Sequence, residues 1–206
     1  VMMKRFHRRT HLQAVALPLT EEVQSRISAR IPFTPTDAQT RVMNEIAADL
    51  TEEIPMNRLL QGDVGSGKTI VALAAMLQAV ANGRQAALVA PTELLAEQHE
   101  RTLREVLQHS PMRLELLTGS ITGSARRSLV KDIGAGRVDI VVGTHAILTN
   151  DVVFRDLAVA VADEQHRFGV QQRATLRSKG SDQTHCPHQL VMTATPIPRT
   201  LSLTLF

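Results

Sequence analysis

Tryptophan and tyrosine are missing from all 206 residues, and phenylalanine occurs only five times. Proteins that hold single strands by stacking bases on aromatic platforms need such rings. That mode of nucleic-acid binding is therefore disfavoured, and any such contact falls mostly on the sugar-phosphate backbone, through loops and helix N-termini. A single cysteine, Cys186, leaves no internal disulfide framework and fits a reducing compartment. No apolar run is long enough to span a membrane. The start is basic (Lys4, Arg5, Arg8, Arg9), but the apolar patch at 14–17 is too short for the core of a signal peptide. The net charge of +3 permits an anionic partner without demanding one. Repeats and low-complexity segments are absent, and no coiled-coil heptads argue for a dimer, so a monomer is expected. What is present is globular: 43% apolar and 21% charged residues, at a length suited to one large domain or one domain with an appendage. A chain that begins with valine fits a piece of something longer.

The most informative string is Gly62-Asp63-Val64-Gly65-Ser66-Gly67-Lys68-Thr69. It has the spacing of a phosphate-binding loop. Glycines allow a tight turn in which several backbone N–H groups converge on an anion. The helix starting near Lys68 adds its positive end. Lys68 supplies a point charge for the β- and γ-phosphates of ATP, and the Thr69 hydroxyl is a ligand for Mg²⁺. The context agrees. Asn57-Arg58-Leu59-Leu60 reads as a short strand before the loop. Ile70, Leu73, Ala74, Leu77 and Ala81 follow at helical spacing, and Asn82-Gly83 is a stop.

Residues 1–31 are charged and weakly periodic. They read as a lead-in helix or linker outside the main sheet, broken off by the prolines at 32 and 35. A helix is predicted over 36–50. Strands at 86–90, 114–117, 139–142, 157–162 and 189–192 then alternate with helices at 92–108 and 124–133. Such alternation implies an α/β fold: a P-loop NTPase (RecA-like) parallel sheet with helices on both faces. Ligands in such folds bind at the carboxyl ends of the strands. The main domain is expected to span 32–206.

The apolar strand Leu157-Ala158-Val159-Ala160-Val161-Ala162 runs straight into Asp163-Glu164-Gln165-His166. Acidic groups at the end of a buried strand are costly unless they have partners or a task. Behind a phosphate loop the task is clear. Asp163 holds Mg²⁺, often through water, and Glu164 orients and deprotonates the attacking water. With Lys68 these form the expected catalytic set.

The Asp-Glu-Gln-His box resembles motif II of the superfamily 2 helicases, and further segments match that family in order. Phe33 and Gln39 resemble its adenine-reading segment. Pro91-Thr92-Glu93, Thr118-Gly119 and Thr144-His145 resemble its DNA-facing loops. Thr193-Ala194-Thr195-Pro196-Ile197-Pro198-Arg199-Thr200 resembles its motif III, which implies coupling roles for Thr193, Thr195 and Arg199. By type, Arg199 reads as either pairing with a carboxylate near the nucleotide or capping the sheet, and His166 as either joining the coupling set or packing as an ordinary polar residue. The wording of residues 61–69, 163–170 and 187–190 resembles the RecG family of bacterial ATP-dependent DNA helicases. The transcription-repair coupling factor is the nearest alternative, with its usual Glu and Phe replaced here by Gln165 and Ser66.

The resemblance implies a cytoplasmic bacterial motor acting on branched DNA, both stalled forks and Holliday junctions. It implies a second RecA-like lobe and a wedge domain in cis, neither represented in this string. The lobe alone is expected to hold Mg-ATP weakly, to hydrolyse it very slowly and to unwind nothing. A nucleotide switch without motor function would have no use for the loops at 91–93, 118–119 and 143–145, and an RNA helicase would not be expected to carry Arg167-Phe168-Gly169-Val170. Two features read as ordinary structure: the loop His185-Cys186-Pro187-His188, poorly spaced for zinc, and a solvated basic face of Arg126, Arg127 and Lys131.

Overall fold

The computed structural model describes residues 2–5, 13–31, 34–163, 175–176, 179 and 185–194. Phe33, Glu164, His166, Thr195 and Arg199 lie outside the described residues. In chain order the elements are strand β1 (Met2–Arg5), helices α1 (Glu21–Ser28) and α2 (Asp37–Leu50), strand β2 (Asn57–Gln61), helix α3 (Lys68–Ala81), strand β3 (Gln85–Val89), helix α4 (Glu93–Val106), strand β4 (Leu114–Leu117), helix α5 (Gly123–Gly134), strand β5 (Ile140–Gly143), a 3₁₀ turn (His145–Leu148), and strands β6 (Leu157–Asp163) and β7 (His188–Thr193).

The strands form one sheet in the order β1-β2-β7-β6-β3-β5-β4. From β2 to β4 every pairing is parallel. Parallel strands must be connected by crossovers that cover the faces, so both faces are buried. Strand β3 shows this directly. Ala86 and Leu88 face the core beneath α1–α4 with Leu60, Leu73, Met76, Leu77 and Leu103. Ala87 and Val89 face a second core with Ile133, Ile147, Phe154 and Leu157.

Helix α3 lies between the sheet and the other helices. Val71, Ala72, Ala75, Met76 and Ala79 are therefore buried along with Leu73 and Leu77, and the helix is apolar nearly all round. Its one buried polar side chain, Gln78, is satisfied by donating to Leu17 O at 2.7 Å and Ala47 O at 3.3 Å.

Of the described residues before 32, α1 is the expected lead-in helix, but the N-terminal stretch is not outside the sheet. Strand β1 joins the sheet, antiparallel to β2. An outermost β2 would expose a row of unpaired N–H and C=O groups, which β1 covers. Residues 13–18 are then stitched beneath the sheet. Cys186 N donates to Gln13 O, Ala14 N to Glu53 O and Leu17 N to Leu50 O, and Ala14 and Leu17 are buried.

His188, read above as part of a loop, is the first residue of β7 and fully buried. Its Nδ1 accepts from Met56 N at 3.1 Å and its Nε2–H donates to Val15 O at 3.0 Å. Burial pushes its pKa below the usual 6.5, against the smaller opposing effects of the Val15 carbonyl and Asp49. The unfolded chain therefore takes up this proton first. The neutral ring's contribution is whole above pH 6.5 and is lost as pH falls from there through the folded value. His188→Leu is expected to cost about 1–3 kcal/mol at pH 8, by orphaning two backbone groups. It is also expected to flatten the fall in melting temperature between pH 7 and 5.5. Thermal melts across that range check both, and equal slopes in the two proteins would count against the clamp.

Candidate nucleotide site and adjoining loops

Three neighbouring strands, β2, β7 and β6, bring the site together. Strand β2 delivers the phosphate loop and β6 delivers Asp163, with β7 between them. At ordinary strand spacing their ends are about 10 Å apart. Thr193, at the end of β7, ties the two: Gly62 N donates to Thr193 O at 3.3 Å, and Asp163 pairs in register with Met192.

The loop is shaped to hold something negative. Gly67 takes φ +79° and caps α3 without a side chain, whereas threonine side chains cap α1, α2 and α4. The first N–H groups of α3 thus face the loop without a side-chain acceptor. Lys68 Nζ rests on Gly62 O and Asp63 O, each at 2.7 Å. Ser66 Oγ is buried with no hydrogen-bond partner among the described residues. Among the described residues, an ammonium held only by carbonyls, an unused hydroxyl and an uncapped helix start together fit phosphate oxygens. Asp63, Val64 and Gly65 form the exposed outer rim of the loop.

Gln39 is positioned by its own helix. Thr36 Oγ1 accepts from Gln39 N at 3.3 Å, and Gln39 Oε1 accepts from Thr36 N at 2.9 Å. This capping box fixes the amide, whose Nε2 donates to Ser66 O at 3.1 Å. Gln39 therefore braces the phosphate loop. A Cβ at residue 67 would run into that Nε2, which is a second reason for glycine there.

For a divalent cation the available donors are the hydroxyl of Thr69, in the first turn of α3, and the carboxylate of Asp163. Both are hard oxygens of the kind Mg²⁺ takes when phosphates complete its shell. Asp163 has a partner the sequence did not disclose: His99 Nε2, 2.7 Å from Oδ2. The only trace in the sequence is a polar residue on the inner stripe of α4, between buried Ala96 and Leu103.

The loops after β3, β4 and β5 cluster at the carboxyl ends of those strands, with residues 91–93, 118–119 and 144–145 within them. Glu93 Oε1 accepts from Ser120 N at 3.1 Å and joins two of the loops. Thr118 and Thr144 are buried. The Thr118 hydroxyl is paired with Ser120 Oγ at 2.7 Å, and the Thr144 hydroxyl accepts from Ala146 N at 3.4 Å. These two threonines shape their loops, while Gly119, Ser120 and His145 are the exposed members. On α5, Arg126 is engaged with Asp151 and Thr149, whereas Arg127 and Lys131 are exposed.

A glycine loop after β2 and an acidic residue ending β6 on such a parallel sheet are the arrangement of a P-loop NTPase (RecA-like) lobe. The DEAD/DEAH box helicase family profile matches residues 36–204, and the chain belongs to that family. Within it, RecG helicases are among the relatives that the chain matches. The ATP-dependent DNA helicase RecG of Pasteurella multocida is 53% identical over 196 residues, covering 94% of this chain and 28% of that protein. That of Bacillus subtilis is 48% identical over 198 residues, covering 96% and 28%. The chain thus spans 28% of the length of these curated relatives. A structure of RecG bound to a three-way DNA junction superimposes with a TM-score of 0.79 at 37% identity, over 95% of this chain and 26% of that one. A DEAD-box helicase bound to single-stranded RNA shares the fold, with a TM-score of 0.66 at 21% identity over 90% of this chain and 40% of that one. Among the described residues no helix is long and apolar enough to cross a membrane.

Proposed function

We propose that this chain is the ATP-binding motor lobe of a bacterial, cytoplasmic double-strand DNA translocase that remodels stalled forks and Holliday junctions. The lobe takes in residues 32–206 together with β1 and residues 13–18, which are built into its sheet and core. A second RecA-like lobe and a wedge domain in the same protein complete the motor. The observation that carries the reading is the coupling of the phosphate loop to β7, through Gly62 N and Thr193 O, beside Asp163 in a chain whose relatives are RecG helicases.

In this reading the backbone N–H groups of residues 62–69 and the Lys68 ammonium bind the β- and γ-phosphates. Thr69 and Asp163 hold Mg²⁺, which when bound neutralises charge developing on the transferred phosphoryl group. Glu164 takes the proton of the attacking water. Phe33 and Gln39 read the adenine, Gln39 with the second N–H and second oxygen lone pair that its bonds to Ser66 and Thr36 leave. His166, Thr193, Thr195 and Arg199 pass the nucleotide state to the loops at 91–93, 118–119 and 144–145. Those loops meet the DNA backbone through N–H groups and the exposed Gly119 and His145. The start of α5 at Gly123, which has no side-chain cap, supports phosphate contact on that side.

The test is ATP hydrolysis by the complete protein in the presence of a three-way DNA junction, linear duplex or single-stranded RNA. The junction is expected to stimulate at least about tenfold more than RNA, and this lobe alone is expected to turn over at background rate. Equal stimulation by RNA would sink the DNA assignment. Equal stimulation by linear duplex would sink the preference for branches.

A further inference from the structure

The geometry points to His99 as a positioning residue for the divalent cation: it fixes the carboxylate of Asp163 from α4. The inference rests on the reading of Asp163 as a Mg²⁺ ligand and adds a residue to it.

Asp163 is the last residue of β6, where the strand's apolar side chains end. An aspartate at a strand end turns about two bonds. Unless something holds it, each cation binding event must select one rotamer. His99 holds it. Nε2 lies 2.7 Å from Oδ2, and the two side chains are only 13% and 14% exposed. A carboxylate oxygen accepts, so Nε2 carries the hydrogen. Oδ2 is engaged by this bond, and Oδ1 is left for the cation. At such low exposure little water competes, which strengthens the bond and its directing effect. Partners that orient a ligating carboxylate typically contribute 10–100-fold to metal affinity.

The mount is stiff. Thr92 Oγ1 accepts from Leu95 N at the start of α4. Ala96 and Leu103, one turn before His99 and one turn after it, are fully buried against the sheet. Arg104 and Glu100 pair at 2.5 Å along the outer surface of the helix. The same helix carries Glu93, bonded to Ser120 N in the loop after β4. One rigid element thus touches both the loop cluster and the cation carboxylate. A histidine serving only to fill the core would not need its ring nitrogen on this carboxylate.

The experiment is a titration of this chain with Mn²⁺, free ion being read by electron paramagnetic resonance, with ADP present. Labelled-ADP affinity is measured in parallel in EDTA. In the native chain Mn²⁺ binding is expected to depend on ADP. His99→Ala is expected to weaken Mn²⁺ about tenfold, with ADP affinity in EDTA unchanged and circular dichroism native. His99→Gln, whose amide can donate to the same oxygen, is expected to recover most of the loss. Native Mn²⁺ affinity in His99→Ala would overturn the inference. So would an equal loss in EDTA, which would mark a purely structural role. A native chain with no Mn²⁺ site would instead bring down the reading of Asp163, and this inference with it.

Discussion

Lys68→Ala is expected to weaken binding of a Mg²⁺–ATP analogue by about 100-fold while leaving the chain folded. In the structure the ammonium donates to Gly62 O and Asp63 O, both at 2.7 Å. It thereby curls the loop around the space in front of α3. Asp63 is exposed, so its carbonyl can turn to water when the side chain is cut back, and the stability cost stays near 1 kcal/mol. Binding loses far more. Two charge-assisted bonds to phosphate at about 1.5 kcal/mol each amount to roughly 3 kcal/mol, or about two decades of affinity. Lys68→Arg is not expected to rescue, since the planar fork is wider than the space an ammonium fills. A fluorescent nucleotide is the practical probe, because the chain has no tryptophan. Native affinity in a folded Lys68→Ala protein would mean that residues 62–69 are not the phosphate site.

The elements around that loop were legible because their signals are local. The capped start of α2, the strand–glycine–helix run from β2 to α3 and the apolar β6 each show a period or a stop within a dozen residues, and their observed bounds fall within a residue or two of those read from sequence. What escaped notice depends on residues far apart in the chain. Nothing local marks Met2–Arg5 as a strand, since its partner β2 lies more than fifty residues on. His188 reads as one more polar loop residue until Val15 and Met56 are placed on either side of it. Arg58 stands buried in β2 because Asp49 and Glu45 of α2 meet its guanidinium there, and Asp49 above all raises its pKa. In the loops, Thr118 and Thr144 are hydrophilic by type, and their hydroxyls are engaged within the turns. Nothing local marks His99, whose partner Asp163 lies 64 residues on.

The same close packing makes Gly143→Ala the substitution with the greatest expected effect on stability. Gly143 ends β5, pairs in register with Leu117 of β4, and accepts from Ala90 N at 2.8 Å on its other side. A Cβ there would overlap the Leu117 carbonyl oxygen, stand 2.9 Å from its carbon and lie 3.1 Å from Ile147 Cδ1. The first two are backbone atoms, so no rotamer change relieves the clash. Either β4 moves off the sheet or the turn into Thr144 is rebuilt, and each disrupts Leu117 and Ile147 in the second core. Overpacking of this kind typically costs 1–3 kcal/mol, and backbone displacement takes it to the top of that range. A loss of about 3 kcal/mol corresponds to roughly 6–12 °C in melting temperature at this chain length. Gly119→Ala, in the neighbouring loop, is the control. Its Cβ meets only the flexible end of Glu93, at 3.1 Å, so the loss should stay below about 1 kcal/mol. Urea melts of the two variants decide the matter. If both unfold at the native midpoint, the β4–β5 approach is looser than the structure has it. The loops carrying Gly119 and His145 would then lack the fixed spacing that the proposed contact with a DNA backbone requires.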